Sequence, residues 1–379
     1  MHIFIGPALL DLIVFLVLFA VSYGAGERGL TMGQCAWLGG IFQLTYMAGS
    51  LVTGSLLNRR NAYAMVLAGT VTSIAGAVVC LLTRNFVPTL AAMAGFGVVA
   101  ALFFNSFQAF MRGQSPPGGL AKATAWYTLA WSCGSSLGFL GSGSLYRFGP
   151  VALAGLTLVV GAIFVVILVT NKTRSHDLPS AEEHVEQGPA GSRPVQSVYV
   201  WVGWITVFTA MFVQRPLQTF YPAWMAQYGV APVLVGFALF LHMLAQGVAG
   251  RLMAGARHWL YRRFPFLVLQ TAAALVFLLM WRVPTYGVSL VGVTLLGLWA
   301  GYAYFCAVYY ASNAGNRSRN IGINEFLVGL GSFGGLFVSE WFMRRFHSDA
   351  AMYAVCAGAL LVSTALQWVV ASARRRDPE

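Results

Sequence analysis

Twelve apolar stretches, each about 20 residues or more, alternate with short polar loops along this chain. They fall at about 5–24, 32–57, 62–83, 86–110, 120–144, 150–170, 199–223, 231–254, 264–283, 286–311, 320–343 and 349–372. Each is long enough for an α-helix to cross a hydrocarbon core of about 30 Å. Hydrocarbon offers no water to backbone amides and carbonyls, so only helices or closed barrels span it. Runs such as 62–83 and 353–371 lack the period-two polar alternation of barrel strands, so the pattern predicts helices. The one long polar interruption, 171–196, follows the sixth stretch and contains Pro179, Pro189 and Pro194. It reads as a linker between two six-helix bundles, 1–170 and 197–379.

Composition agrees with this pattern. The 379 residues are 58% hydrophobic and 9% charged, with a mean hydropathy of +0.71. Soluble domains carry roughly 25% charged residues. The net charge of +12 sits in short loops and forms no long basic tract, which argues against nucleic-acid binding. With the N-terminus inside, the outer loops hold only Arg28, Arg84, Arg147, Arg282, Arg344 and Arg345, and the remaining loop Lys and Arg residues face inward. That asymmetry predicts both termini on the cytoplasmic side of the plasma membrane, the inner membrane in a bacterium. The first stretch has no Lys or Arg before it and no convincing cleavage site after it, so it reads as an uncleaved helix. Five scattered cysteines with no CxxC spacing read as packing residues, and no metal or cofactor is expected. There is no GxxxxGK[ST], HExxH or GxSxG, so nothing points to an enzyme or to ATP-driven pumping.

The two halves echo each other. Gly54-x-Leu56 lines up with Gly250-x-Leu252 at an offset of 196. The fifth and eleventh stretches are glycine-rich, with Gly134, Gly138, Gly141 and Gly143 in one and Gly322, Gly329, Gly331, Gly334 and Gly335 in the other. The fourth and tenth are aromatic. Three correspondences in order point to duplication, a frequent origin of transporter folds.

With helix count, central linker and repeat together, the chain resembles the major facilitator superfamily over nearly its whole length. The sharpest local match follows the second helix, where the family pattern is G-x-L-a-D-r-x-G-r-k. Gly54, Leu56 and Arg59 match it, Asn58 stands in place of the aspartate, and Asn61 in place of the second glycine. The resemblance implies an all-α membrane protein of twelve transmembrane helices in two pseudo-symmetric six-helix bundles. It further implies a secondary transporter working by alternating access, with Gly54, Asn58 and Arg59 in a gating loop. The family's fourth-helix arginine is absent, with Ala91 at that position, and the glycines of the fifth helix lack the family's proline.

Ionisable groups inside spans are few, and each costs roughly 2.5–3.5 kcal/mol at mid-membrane on insertion scales, so they usually face a cavity or a partner. Arg215 lies in the seventh span beside Pro216, with Gln214, Gln218 and Tyr221 in a polar stripe. It is a candidate substrate contact or a structural ion-pair member. Asp11, Glu325 and His242 are candidates for proton coupling, and each is also compatible with a structural hydrogen bond. Asn105, Gln108 and Arg112 share one face of the fourth helix, and Tyr302, Cys306, Tyr309 and Asn313 one face of the tenth. The resemblance places both helices around the central cavity, so Asn105, Gln108, Tyr302 and Tyr309 are candidate substrate residues; aromatic stripes of this kind also serve packing. The expected partners are a small-molecule substrate, protons and the bilayer, with the chain acting as a monomer. Ion-independent facilitation or exchange, and a non-transporting sensor or assembly partner on the same fold, remain alternatives.

Overall fold

A computed structural model describes residues 5–57, 61–112, 120–170, 193–314 and 317–373. Among them are twelve α-helices and no strand. They are α1 (Ile5–Glu27), α2 (Met32–Leu56), α3 (Ala62–Leu82), α4 (Phe86–Arg112), α5 (Leu120–Leu145) and α6 (Pro150–Thr170). The second half adds α7 (Arg193–Gln227), α8 (Pro232–Leu252), α9 (Arg263–Arg282), α10 (Tyr286–Ser312), α11 (Arg317–Phe346) and α12 (Ala351–Ala373). Eleven of the twelve are long and apolar enough to cross a membrane. The exception is α5, long enough at 26 residues but rich in Gly, Ser and Thr. Its small residues are taken up in helix contacts, with Gly134 and Gly138 lying directly against the α1 backbone. Hydroxyls elsewhere in the helices bond back to a carbonyl one turn earlier, as Thr70 does to Val66 at 2.8 Å and Thr206 to Val202 at 2.6 Å. That satisfies a polar group without water.

Helix α7 begins six residues before its expected start. The expected start at 199 followed the apolar sequence, whereas the backbone ladder also takes in the more polar run Arg193-Pro194-Val195-Gln196-Ser197. Pro194 is accepted because it sits in the first turn, where no amide is needed. Pro216 lies inside α7 without ending it.

Cα proximity divides the chain into two compact units. The first takes in Met1–Pro117, Ala130–Glu182 and Leu217–Met243; the second takes in Gly118–Leu129, Glu183–Pro216 and Leu244–Glu379. The first therefore includes the α7–α8 hairpin. Tyr23 donates to the Val230 carbonyl at 2.8 Å, Gln227 donates to the Leu30 carbonyl at 3.1 Å, and Gly143 of α5 meets Gly236 of α8. Its core centres on α1, where Phe15 and Phe19 pack edge-on against Phe139. The second unit includes the start of α5, where Thr128 touches Gly250 and Trp126 lies 4.7 Å beneath the Arg251 guanidinium.

Internal duplication is visible in the backbone. Helix α1 ends in a left-handed Gly29 (φ 70°), with the Leu30 amide bonded to the Ala25 carbonyl at 3.0 Å. Helix α7 ends in the same way 200 positions later, at Gly229 (φ 71°), with the Val230 amide bonded to Met225 at 2.9 Å. Glycine supplies this turn because its φ is positive. Gly97 of α4 lies against the Phe42 carbonyl and Tyr46 amide of α2, and Gly301 of α10 lies against the Gln246 carbonyl and Gly250 amide of α8. Gly134 and Gly138 meet Ala8 and Leu12 of α1, and Gly331 and Gly335 meet Phe208 and Phe212 of α7. Gly54 and Gly250, paired by sequence, each stand two residues before the last residue of their helix, α2 and α8, in different surroundings. Gly54 has open space around it at the exposed end of α2, whereas Gly250 is packed on Thr128 and α10.

Candidate functional site

The densest group of sequence-flagged polar residues in the second unit lies where α7, α8, α10 and α11 converge. The glycines of α11 determine that geometry. Gly331 and Gly335 carry no side chain to hold α7 away, so Ser332 between them reaches Arg215. The Ser332 hydroxyl donates to the Val328 carbonyl at 2.7 Å and accepts from Arg215 Nε at 3.4 Å. Arg215 is only 9% exposed. One residue earlier, Gln214 Nε2 donates to Gln246 Oε1 of α8 at 2.6 Å. The carbonyl of Gln246 is the atom against which Gly301 of α10 packs, which draws α10 into the same cluster. Tyr304 of α10 is buried and lies within electrostatic reach of both Arg215 and Glu325. The arrangement is a buried guanidinium bonded to a hydroxyl, with a pair of bonded amides one residue away, in a setting of low dielectric. Charges there interact far more strongly than in water.

The other candidates lie elsewhere. Asp11 (5% exposed) and His242 (1% exposed) are both in the first unit. Asp11 sits on α1 between Ala8 and Leu12, the two residues that meet the α5 glycines. His242 precedes Met243, whose sulfur accepts from Gln218 Nε2 at 3.5 Å. Asn105 donates to the Ser50 carbonyl at 3.0 Å and joins α4 to α2. Gly54 is exposed, while the side chain of Gln108, and Asn58 and Arg59 as a whole, lie outside the described residues.

Tyr302 and Tyr309 share a face of α10 as expected, but that face is filled by packing. Tyr302 meets Phe266 and Trp259, and Tyr309 meets Phe305 and Tyr261. Both belong to a buried cluster with Tyr199, Cys306 and Tyr310. Sequence reasoning put the aromatic wall on this face and passed over Tyr304. At 100° per residue, Tyr304 lies about 200° around the helix from Tyr302, on nearly the opposite face. Ser332 was missed as well, and its only signal was its place inside the glycine run. Among the described residues no three His, Cys, Asp or Glu side chains gather as metal ligands would.

Comparison with known proteins bears on the whole chain. The Major Facilitator Superfamily profile matches residues 3–336. No curated protein sequence matches. Among solved structures, the human organic anion transporter MFSD10 (TETRAN) superposes with a TM-score of 0.68 at 18% identity, covering 97% of this chain and 98% of that one. A bacterial homologue of the human lysosomal transporter Spinster, solved inward-facing and unoccupied, gives 0.67 at 14% identity, covering 100% and 98%. At such identities the likeness is one of fold, and it agrees with the profile match and with the duplicated helix contacts. The chain belongs to the major facilitator superfamily of membrane transporters.

Proposed function

We propose that this protein is a secondary active transporter that moves a small molecule by alternating access, coupled to protons. The observation that carries the reading is the buried Arg215, bonded to Ser332 of α11, with the half-buried Glu325 on the same helix as Ser332. A cation held inside a membrane helix bundle usually marks a substrate or ion pathway. Arg215 supplies charge and directional donors for an anionic or hydroxyl-rich group, with Gln214 and Gln218 on the same helix. Glu325 is the carboxylate nearest this cluster in function: a carboxyl that alternates between wet and dry surroundings can take up and release a proton. Asp11 and His242, buried in the other compact unit, are the further proton candidates. The two six-helix bundles move as units to give alternating access, joined by a cytoplasmic linker that ends where α7 begins at Arg193. Both termini are cytoplasmic, the membrane is the plasma membrane, and the working unit is a monomer.

Flux into proteoliposomes with an imposed pH gradient tests this. Glu325→Gln is expected to abolish gradient-driven accumulation while sparing exchange, and Arg215→Gln to lower both at normal expression. Unchanged pH dependence in Glu325→Gln removes that residue from coupling. Transport that survives Asp11→Asn, Glu325→Gln and His242→Gln together and does not depend on the pH gradient selects ion-independent facilitation or exchange instead.

A further inference from the structure

The junction between α8 and α9 carries a feature that the transport reading does not use. After Leu252 the chain turns through a short 3₁₀ segment, Arg257–Trp259, and enters α9 at Arg263. A cavity of about 230 Å³ opens there. Its floor is apolar, built from Trp259, Phe264, Pro265, Val268 and Leu269, and two exposed basic side chains, His258 and Arg262, complete the lining.

The two neighbouring arginines differ in use. Arg263 donates to Ser372 Oγ at 2.8 Å and to the Ala371 carbonyl, and lies 5.5 Å over the Trp368 ring. It ties α9 to the end of α12. Arg262 has no described hydrogen-bond or ion-pair partner. It is also the N-cap of α9, in extended conformation, and no side chain caps the helix there. The positive end of a 20-residue helix, a guanidinium and an imidazole thus share one mouth. Beside the cavity the outward face of α9 stays apolar, with Phe264 71% and Val268 44% exposed.

We propose that this cavity binds an anionic glycerophospholipid from the surrounding bilayer. Its phosphate lies among Arg262, His258 and the α9 N-terminus, and one acyl chain follows Phe264, Val268 and Leu269. The pairing of features selects this class. A free phosphate leaves the apolar floor uncovered, and a zwitterionic lipid brings a headgroup cation that Arg262 and His258 repel. Basic pockets beside transmembrane helices are suited to such headgroups. The proposal requires only that α9 lies in a bilayer, so it stands or falls separately from the transport reading.

Retention of phosphatidylglycerol and phosphatidylcholine by the purified full chain, measured by native mass spectrometry, tests this. The wild type is expected to retain phosphatidylglycerol in preference and to melt higher as that lipid is titrated in. The double variant His258→Gln/Arg262→Gln should bind it about tenfold more weakly, the loss expected for a charge-assisted contact, while Arg262→Lys retains most of the preference. Val268→Trp, which fills the floor without touching a charge, should weaken retention independently. All variants should elute as single species and melt like the wild type in uncharged detergent. Equal retention by wild type and double variant overturns the proposal. So does stabilisation by inorganic phosphate that matches that of the lipid, which would make this a simple anion site.

Discussion

Replacing Gly138 with alanine tests the close approach of α1 and α5. A methyl group built at Gly138 lies 2.5 Å from the Leu12 carbonyl oxygen and 3.0 Å from the Leu16 amide nitrogen, whereas ordinary contact begins at 3.4 Å. Both obstacles are backbone, so neither can turn aside, and the helices must part by nearly an ångström. The bond from Ser142 Oγ to the Leu16 carbonyl, now 3.0 Å, stretches with them. Overpacking of this kind costs about 1–3 kcal/mol. Alanine's better helix propensity returns up to about 1 kcal/mol. The net expectation is a loss of about 1–2 kcal/mol, seen as a fall in melting temperature on the order of 2–5 °C. Gly141→Ala on the same helix is the control, because its methyl meets only Leu156 Cδ2 at 3.6 Å. It should be neutral or slightly stabilising. Thermal unfolding in detergent, followed by size-exclusion chromatography with fluorescence detection, measures both. A Gly138→Ala protein that melts at or above wild type and control alike would refute the close-approach account of the glycine-rich helices.

Two further outcomes can be checked on the same instrument. Tyr310→Phe removes the hydroxyl that accepts from the Tyr261 amide at 3.0 Å, and Tyr261 is a bulky residue held at φ 57°. Leaving that amide unpaired should lower stability by about 1–3 kcal/mol, and an unchanged melting temperature would mean the bond does not hold the loop. Burial holds the Asp349 carboxyl above its usual value. The folded chain then binds that proton more tightly than the unfolded one. Its stabilising contribution is full below the ordinary value of about 3.9 and is lost as pH rises through the raised one. Asp349→Asn should therefore melt higher than wild type at neutral pH, with the gap closing as pH falls towards 4; a gap independent of pH would contradict this.

Much of the architecture was legible from the chain. Helix ends agree with the apolar stretches to within a few residues in most cases, because hydrocarbon penalises any unpaired backbone and leaves little choice but a helix of spanning length. The repeat was legible too, and the Gly-x-Leu strings that helped reveal it close α2 and α8 alike. What the strings did not show is their surroundings, open at Gly54 and packed on Thr128 and α10 at Gly250. Arg215 stood out by sequence because a charge in a span is rare. Ser332 and Tyr304 did not, since hydroxyls are common in such helices and periodicity alone does not say which face meets which helix.

The sequence by itself determined that there are spans, about where they lie, and which few charges fall inside them. Those follow from transfer energies, which each segment carries alone. Only the tertiary structure decided that Gly331 and Gly335 bring α11 against α7 and Ser332 to Arg215, and that Tyr302 packs against Phe266 and Trp259. It also decided that Arg263 is spent on α12 while Arg262 stays open at the mouth of a cavity. These depend on close contacts between helices distant in sequence. In a membrane such contacts are selected by shape and hydrogen bonding rather than by hydrophobicity, so hydropathy carries no record of them.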